Sequence, residues 1–221
     1  MYKEKTNRYY EEVRMKRMMA VLASLFYIAL LTACVGSVPM MAKNRVSIRS
    51  VVIDRQVALP EVMFYRGPEF ALEAFGVVGY VAGYNIKMSN EEKIAVLLRK
   101  KQIDVSQIVR DEFIEVIKAR QVFPSLVPDG GDATITLTIK TYGLAYGLSS
   151  ELRPMLGVEG CMTASGSSVI WKKYAYVTNM GDRTPSYTIG ELVADPERIR
   201  QAFQVSAQIV AADLVRHMQG F

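Results

Sequence analysis

Residues 128–140, PDGGDATITLTIK, contain the stretch whose reading decides the fold. Pro128-Asp129-Gly130-Gly131-Asp132 has the composition of a turn, because glycine frees the backbone and aspartate bonds its own neighbouring amides. Directly after it, Ile135, Leu137 and Ile139 alternate with Thr134, Thr136, Thr138 and Lys140, the period of a strand that buries one face. Downstream, residues 155–164 and 169–178 read as two further strands. The short polar link Ser165-Gly166-Ser167-Ser168 between them predicts an antiparallel hairpin.

Helical signals flank this β-rich centre. Ser89-Asn90-Glu91-Glu92 is a capping-box pattern, in which the Ser89 hydroxyl and Glu92 carboxylate satisfy free amides of a first turn. Asp104-Val105-Ser106-Gln107 repeats the device, and Val105, Ile108, Val109, Phe113, Val116 and Ile117 then share one face at helical spacing. Asp195-Pro196 opens a last helix, along which Ile199, Phe203, Ser206, Val210, Leu214 and Met218 form a single stripe. Upstream, the alternation of Val46, Ile48, Ser50 and Val52 predicts a first strand over residues 46–53. The resulting order, β-α-α-β-β-β-α, predicts an α+β fold. It would have a small antiparallel or mixed sheet of about four strands, with helices packed on one side.

Residues 60–88 resist such assignment, mixing apolar side chains with Gly67, Gly76, Gly79 and Gly83. Gly76, Gly79 and Gly83 allow close approach of backbones, which suits either packing on the domain's own core or self-association.

The chain has 221 residues, half of them hydrophobic, enough for one core of ordinary size. Its formal charge of +5 is unevenly placed: six of 27 basic and three of 22 acidic residues precede residue 34, leaving the remainder near +2. With no concentrated basic run, nucleic acid is excluded as the expected partner.

The N-terminal part reads RMKRMMAVLASLFYIALLTAC over residues 14–34. Arg14, Lys16 and Arg17 form a basic region, residues 18–31 an apolar one, and small residues follow, which is the plan of a secretory signal. The strongly apolar part is shorter than the roughly 20 residues that span a bilayer. Met15 is a plausible true start, since residues 1–14 form a polar extension that such signals rarely carry.

Leu31-Thr32-Ala33-Cys34 resembles the bacterial lipobox. The resemblance implies a lipid-modified Cys34, with Leu31, Thr32 and Ala33 recognised by the lipoprotein signal peptidase that cuts before it. Residues 1–33 are then the removed signal, 34–44 a lipidated tether, and 45–221 one periplasmic α+β domain. Val35, rather than Asp, follows the cysteine, which by the enterobacterial sorting pattern implies the outer membrane. Thr141-Tyr142-Gly143-Leu144, the hairpin strand opening Val169-Ile170-Trp171, and Ala194-Asp195-Pro196 resemble segments of largely uncharacterised Gram-negative envelope lipoproteins. The order of elements is similar to the N-terminal domain of TolB and to auxiliary lipoproteins of envelope assembly, secretion or transport. This likeness implies action by contact and supplies no catalytic residues.

Side chains able to do chemistry are sparse. His217 is the sole histidine and suits the end of the last helix, where positive charge is favoured. Cys161 has no cation beside it in sequence and reads as a small buried apolar side chain. Neither a metal cluster nor a phosphate loop is spelled out, so no catalytic residue, metal or cofactor is expected. Tyr142, Tyr146, Trp171, Tyr174 and Tyr176 gather on predicted strands and form the expected partner surface, because aromatics with polar tips are enriched in interfaces. The expectation is a non-enzymatic outer-membrane lipoprotein, attached through Cys34 and binding another envelope protein. The alternative is a self-assembling structural or pore-related lipoprotein that uses Gly76, Gly79 and Gly83.

Overall fold

A computed structural model describes residues 36–69, 88–165 and 168–220. Cys34, Leu31, Thr32 and Ala33 lie outside the described residues, as do Gly76, Gly79 and Gly83. The chain divides at Gly36/Ser37, and the architecture below is that of the unit beginning at Ser37.

The turn at Pro128–Asp132 leads into the longest strand, β4 (Ala133–Tyr146). It follows β1 (Ser50–Ile53), β2 (Phe64–Arg66) and β3 (Ser125–Leu126), and precedes β5 (Leu152–Ala164) and β6 (Val169–Val177). These make one mixed sheet in the order β3-β1-β4-β5-β6, with β2 added to the far end of the same β4 edge that β1 uses. β4, β5 and β6 form an antiparallel meander, whereas β1 runs parallel to β3 and β4. The six strands exceed the four read from the sequence. β2 and β3 have three and two residues, too short for an alternating pattern, and exist through pairing with strands already in place.

Five described helices accompany the sheet: α1 (Ala42–Ser47), α2 (Asn90–Lys100), α3 (Val105–Ala119), α4 (Ile189–Ala194) and α5 (Glu197–Gln219). α1 takes the first two residues of the strand expected over 46–53, and β1 only the last four, because the apparent alternation crosses the boundary between a helix and a strand. Val46 on that helix is 75% exposed, while Val51 of β1 is wholly buried. α2 and α3 start where their caps predict: the Ser89–Glu92 box is complete, and Asp104 Oδ1 accepts from Gln107 N at 3.0 Å. α4 went unread although Thr188 and Glu191 form a second complete box, because six residues carry too little periodicity to reveal a helix.

The alternation in β4 is realised as expected, with Ala133, Ile135, Leu137 and Ile139 buried. A bulge between Ile139 and Thr141 then inserts one residue, so that Tyr142 faces inward beside Leu156. α5 packs on β5, β6 and α3, burying all six stripe residues from Ile199 to Met218. Trp171 of β6 lies beneath it, and its ring passes over Gly160, where a Cβ would stand 2.6 Å from a ring carbon. Each fully buried large side chain of this kind contributes about 1.5–3 kcal/mol through removal from water.

Residues 35–44, read as a tether, are docked from Val38 onward. Val38 exchanges two backbone hydrogen bonds with Lys172 on the outer edge of β6, at 2.8 and 2.9 Å, and Met40 is buried.

Candidate functional site

The sheet face turned away from α5 is built from small and polar residues. Thr136, Cys161 and Lys172 are aligned across β4, β5 and β6, as are Thr138, Glu159 and Tyr174 in the next row. Lys140, at the bulge, reaches Glu159 Oε1 at 3.4 Å, and Lys172 reaches Glu159 Oε2 at 3.2 Å. One carboxylate thus holds two ammonium groups, one half-exposed and one a quarter exposed, a pairing worth little in stability at such exposure but which fixes where the positive charge sits.

Tyr174 and Tyr176 stand on the same face, 43% and 59% exposed. Their rings stack with centroids 5.9 Å apart and planes inclined by 19°. Gly157 makes this possible, since a Cβ there would lie 2.1 Å from the Tyr174 hydroxyl. The other three aromatics expected on a partner surface sit elsewhere. Trp171 has no exposure, Tyr142 has 6% and packs 6.5 Å from Phe203, and Tyr146 is half-buried. Trp171 and Tyr142 belong to the core on the side where α5 packs, and Tyr146 is partly buried against the same core. On β6 plain alternation separates Trp171 from Tyr174 and Tyr176, whereas on β4 the bulge between Ile139 and Thr141 turns Tyr142 inward against the alternation of the threonines before it.

Cys161 is half-buried on the open face, a correction to the apolar core position expected. Burial pushes its thiol pKa up and Glu159 adds to this, outweighing Lys172, the cation that the fold brings across from the next strand. The thiol is therefore held protonated and unreactive. His217 is engaged rather than free: its Nδ1 accepts the indole proton of Trp171 at 3.1 Å. Burial and Lys173 lower its pKa and keep the ring neutral, as an acceptor must be.

Two concavities flank the other edge of the sheet. An apolar groove of about 1090 Å³ runs between α2, the loop before β2 and Tyr142, with Leu59, Val62, Val96 and Ile103 in its walls and Glu92 and Arg99 at its rim. A more polar notch of about 930 Å³ opens where β1 ends, near Asp54, Arg110 and Thr138. Arg110 is tied there to the Asp54 carbonyl at 3.2 Å and to Asp111 at 3.6 Å. The carboxylates with lowered pKa serve structure. Asp132 takes the Ser50 and Arg49 amides and the Ser50 hydroxyl, locking the start of β1 to the turn before β4. Glu191 takes the Thr188 amide and hydroxyl at the α4 cap, with Arg198 beside it. Among the described residues no cluster of three His, Cys, Asp or Glu stands where a metal ion would be held, and no helix is long and apolar enough to cross a membrane.

No family model matches the chain, and no curated protein matches its sequence. Solved structures similar to it include a Xanthomonas campestris protein of family DUF330, at 11% identity and a TM-score of 0.45, covering 80% of this chain and 84% of that one. PelC from Paraburkholderia phytofirmans, solved as a dodecamer, is similar at 12% identity and a TM-score of 0.40, covering 83% and 92%. A minor lipoprotein from Acinetobacter baumannii is similar at 11% identity and a TM-score of 0.40, covering 78% and 94%.

Proposed function

We propose that this protein is a lipid-anchored lipoprotein of the bacterial outer membrane whose domain faces the periplasm and binds another envelope protein without doing chemistry itself. The observation that carries the reading is Leu31-Thr32-Ala33-Cys34 behind a basic and then an apolar run. Acyl chains on Cys34 hold the domain at the membrane, since each buried methylene adds about 0.8 kcal/mol and two or more chains give a durable anchor. Tethering raises the domain's effective concentration near partners in the same membrane. The non-enzymatic part of the reading draws support from how the polar side chains are occupied. His217 accepts from Trp171, Asp132 clamps a turn, and Glu92 and Glu191 cap helices.

The test is made on the full chain in a Gram-negative host. Cys34→Ser should accumulate as a precursor that takes up no labelled palmitate, whereas the parent is shortened and labelled; normal labelling of the variant refutes the anchor. In-cell crosslinking of the parent should trap a different envelope protein. Adducts made only of this chain would replace the binding module with self-assembly.

A further inference from the structure

We infer that the open face of the sheet beside β6 lies on the membrane surface, with Tyr174 and Tyr176 at headgroup level and Lys140 and Lys172 against anionic lipid phosphates. The inference rests on the lipid at Cys34 proposed above and adds to it the orientation of the domain.

The first ground is reach. Val38 is fixed to the outer edge of β6 by its paired hydrogen bonds with Lys172. Only four residue steps separate it from Cys34. A fully extended chain covers about 3.5 Å per residue, so this edge stays within about 14 Å of the lipid-bearing residue. That distance is about twice the depth of one headgroup layer, which is roughly 5–7 Å on each side of the hydrocarbon, and well short of the size of the domain. A domain held so closely by one edge has little freedom to turn that edge away.

The second ground is direction. Val38 pairs with Lys172 antiparallel. The residues before Val38, Ser37 and Gly36, therefore set off from it in the sense of Tyr174 and Tyr176 on β6. The part of the open face nearest the anchor is then the part that carries the tyrosines.

The third ground is chemistry. Tyrosine concentrates at membrane interfaces because its ring is apolar and its hydroxyl is wet. Here two rings are stacked, exposed and pre-positioned, at no cost of ordering on contact. Beside them Lys140, Lys172 and Glu159 sum to one positive charge, and the neighbouring rows of the face carry the short side chains of Thr134, Thr136, Thr138 and Cys161. Basic side chains near the surface are drawn to anionic lipid. The apolar groove lies at the opposite edge of the sheet, beyond β4, and would stay open to the periplasm.

The experiment uses the full chain, processed and lipidated in cells, with the Cys34 modification verified by mass. It is placed in vesicles of three parts phosphatidylethanolamine to one part phosphatidylglycerol, carrying a fraction of lipid with a nitroxide on its headgroup. Tyr176→Trp reports from the open face, and Gln208→Trp reports from the exposed side of α5. Both retain the buried Trp171 as a constant background. After subtraction of the parent's emission, quenching should be several-fold stronger at 176 than at 208. Chains that float with the vesicles yet are quenched equally at both positions would overturn the docking while leaving the anchor intact. A blue-shifted, unquenched signal at 176 that disappears as protein per vesicle is lowered would assign the face to a second copy, which also overturns it. Chains whose Cys34 is unmodified, or that fail to float, overturn the anchor and the docking together.

Discussion

His217 and Trp171 form a hydrogen bond that ties α5 to the sheet. The indole donates and the neutral imidazole accepts. Burial and the facing Lys173 hold the imidazole pKa below its ordinary value of 6.5. The unfolded chain therefore takes up the proton first, and the sign follows: stability is intact above about pH 6.5 and falls as the pH drops below it, levelling once the lowered folded value is passed. Thermal melts followed by circular dichroism between pH 7.5 and pH 5 should show this loss in the parent. In His217→Gln, which cannot titrate, the loss over the same interval should shrink; identical profiles would mean that the histidine is not the group responsible. The sequence supplied a lone histidine near a helix end and no hint of its partner 46 positions away, because hydrogen-bond geometry across elements has no local signature.

At the scale of elements, caps were the most readable features and short strands the least. Ser89 and Glu92 exchange bonds with each other's backbone amides at 3.2 and 2.7 Å, and the residues that make the box lie within one turn. Ser89→Ala should cost about 1 kcal/mol, read as a lower urea midpoint with unchanged slope. A midpoint within error of the parent would show that α2 is held by packing of Ile94 and Leu97 alone. β4 was legible for a similar reason, since its inward residues alternate without interruption as far as Ile139. The bulge that follows was not, because Lys140-Thr141 carries neither glycine nor proline to mark it, and its consequence is large: it turns Tyr142 from the open face to the core. β2 is likewise invisible locally. It lies along β4 at Gly143, where any Cβ would strike the Phe64 carbonyl, so that one glycine admits a strand whose own three residues say nothing.

For the whole molecule the unexpected element is the N-terminal strap. Val38 extends the sheet past β6 and Met40 enters the core, so residues read as a tether belong structurally to the domain. Met40→Ala should destabilise the entire unit by about 2–5 kcal/mol, as truncation of a buried methionine does. Denaturation followed at Trp171 measures it, and an unchanged midpoint would mean that the strap detaches before the domain unfolds. By itself the sequence determined the α+β class, the three long strands with the hairpin of the last two, and the starts of the three major helices. These are written in contiguous residues, through period, cap and turn chemistry. Only the tertiary structure decided the parallel additions of β1, β2 and β3, the bulge that turns Tyr142 from the open face to the core, and the strap on the β6 edge. Each depends on a bond or a register between residues far apart in the chain, and local physics cannot specify such a partner until the rest of the sheet is there to offer it.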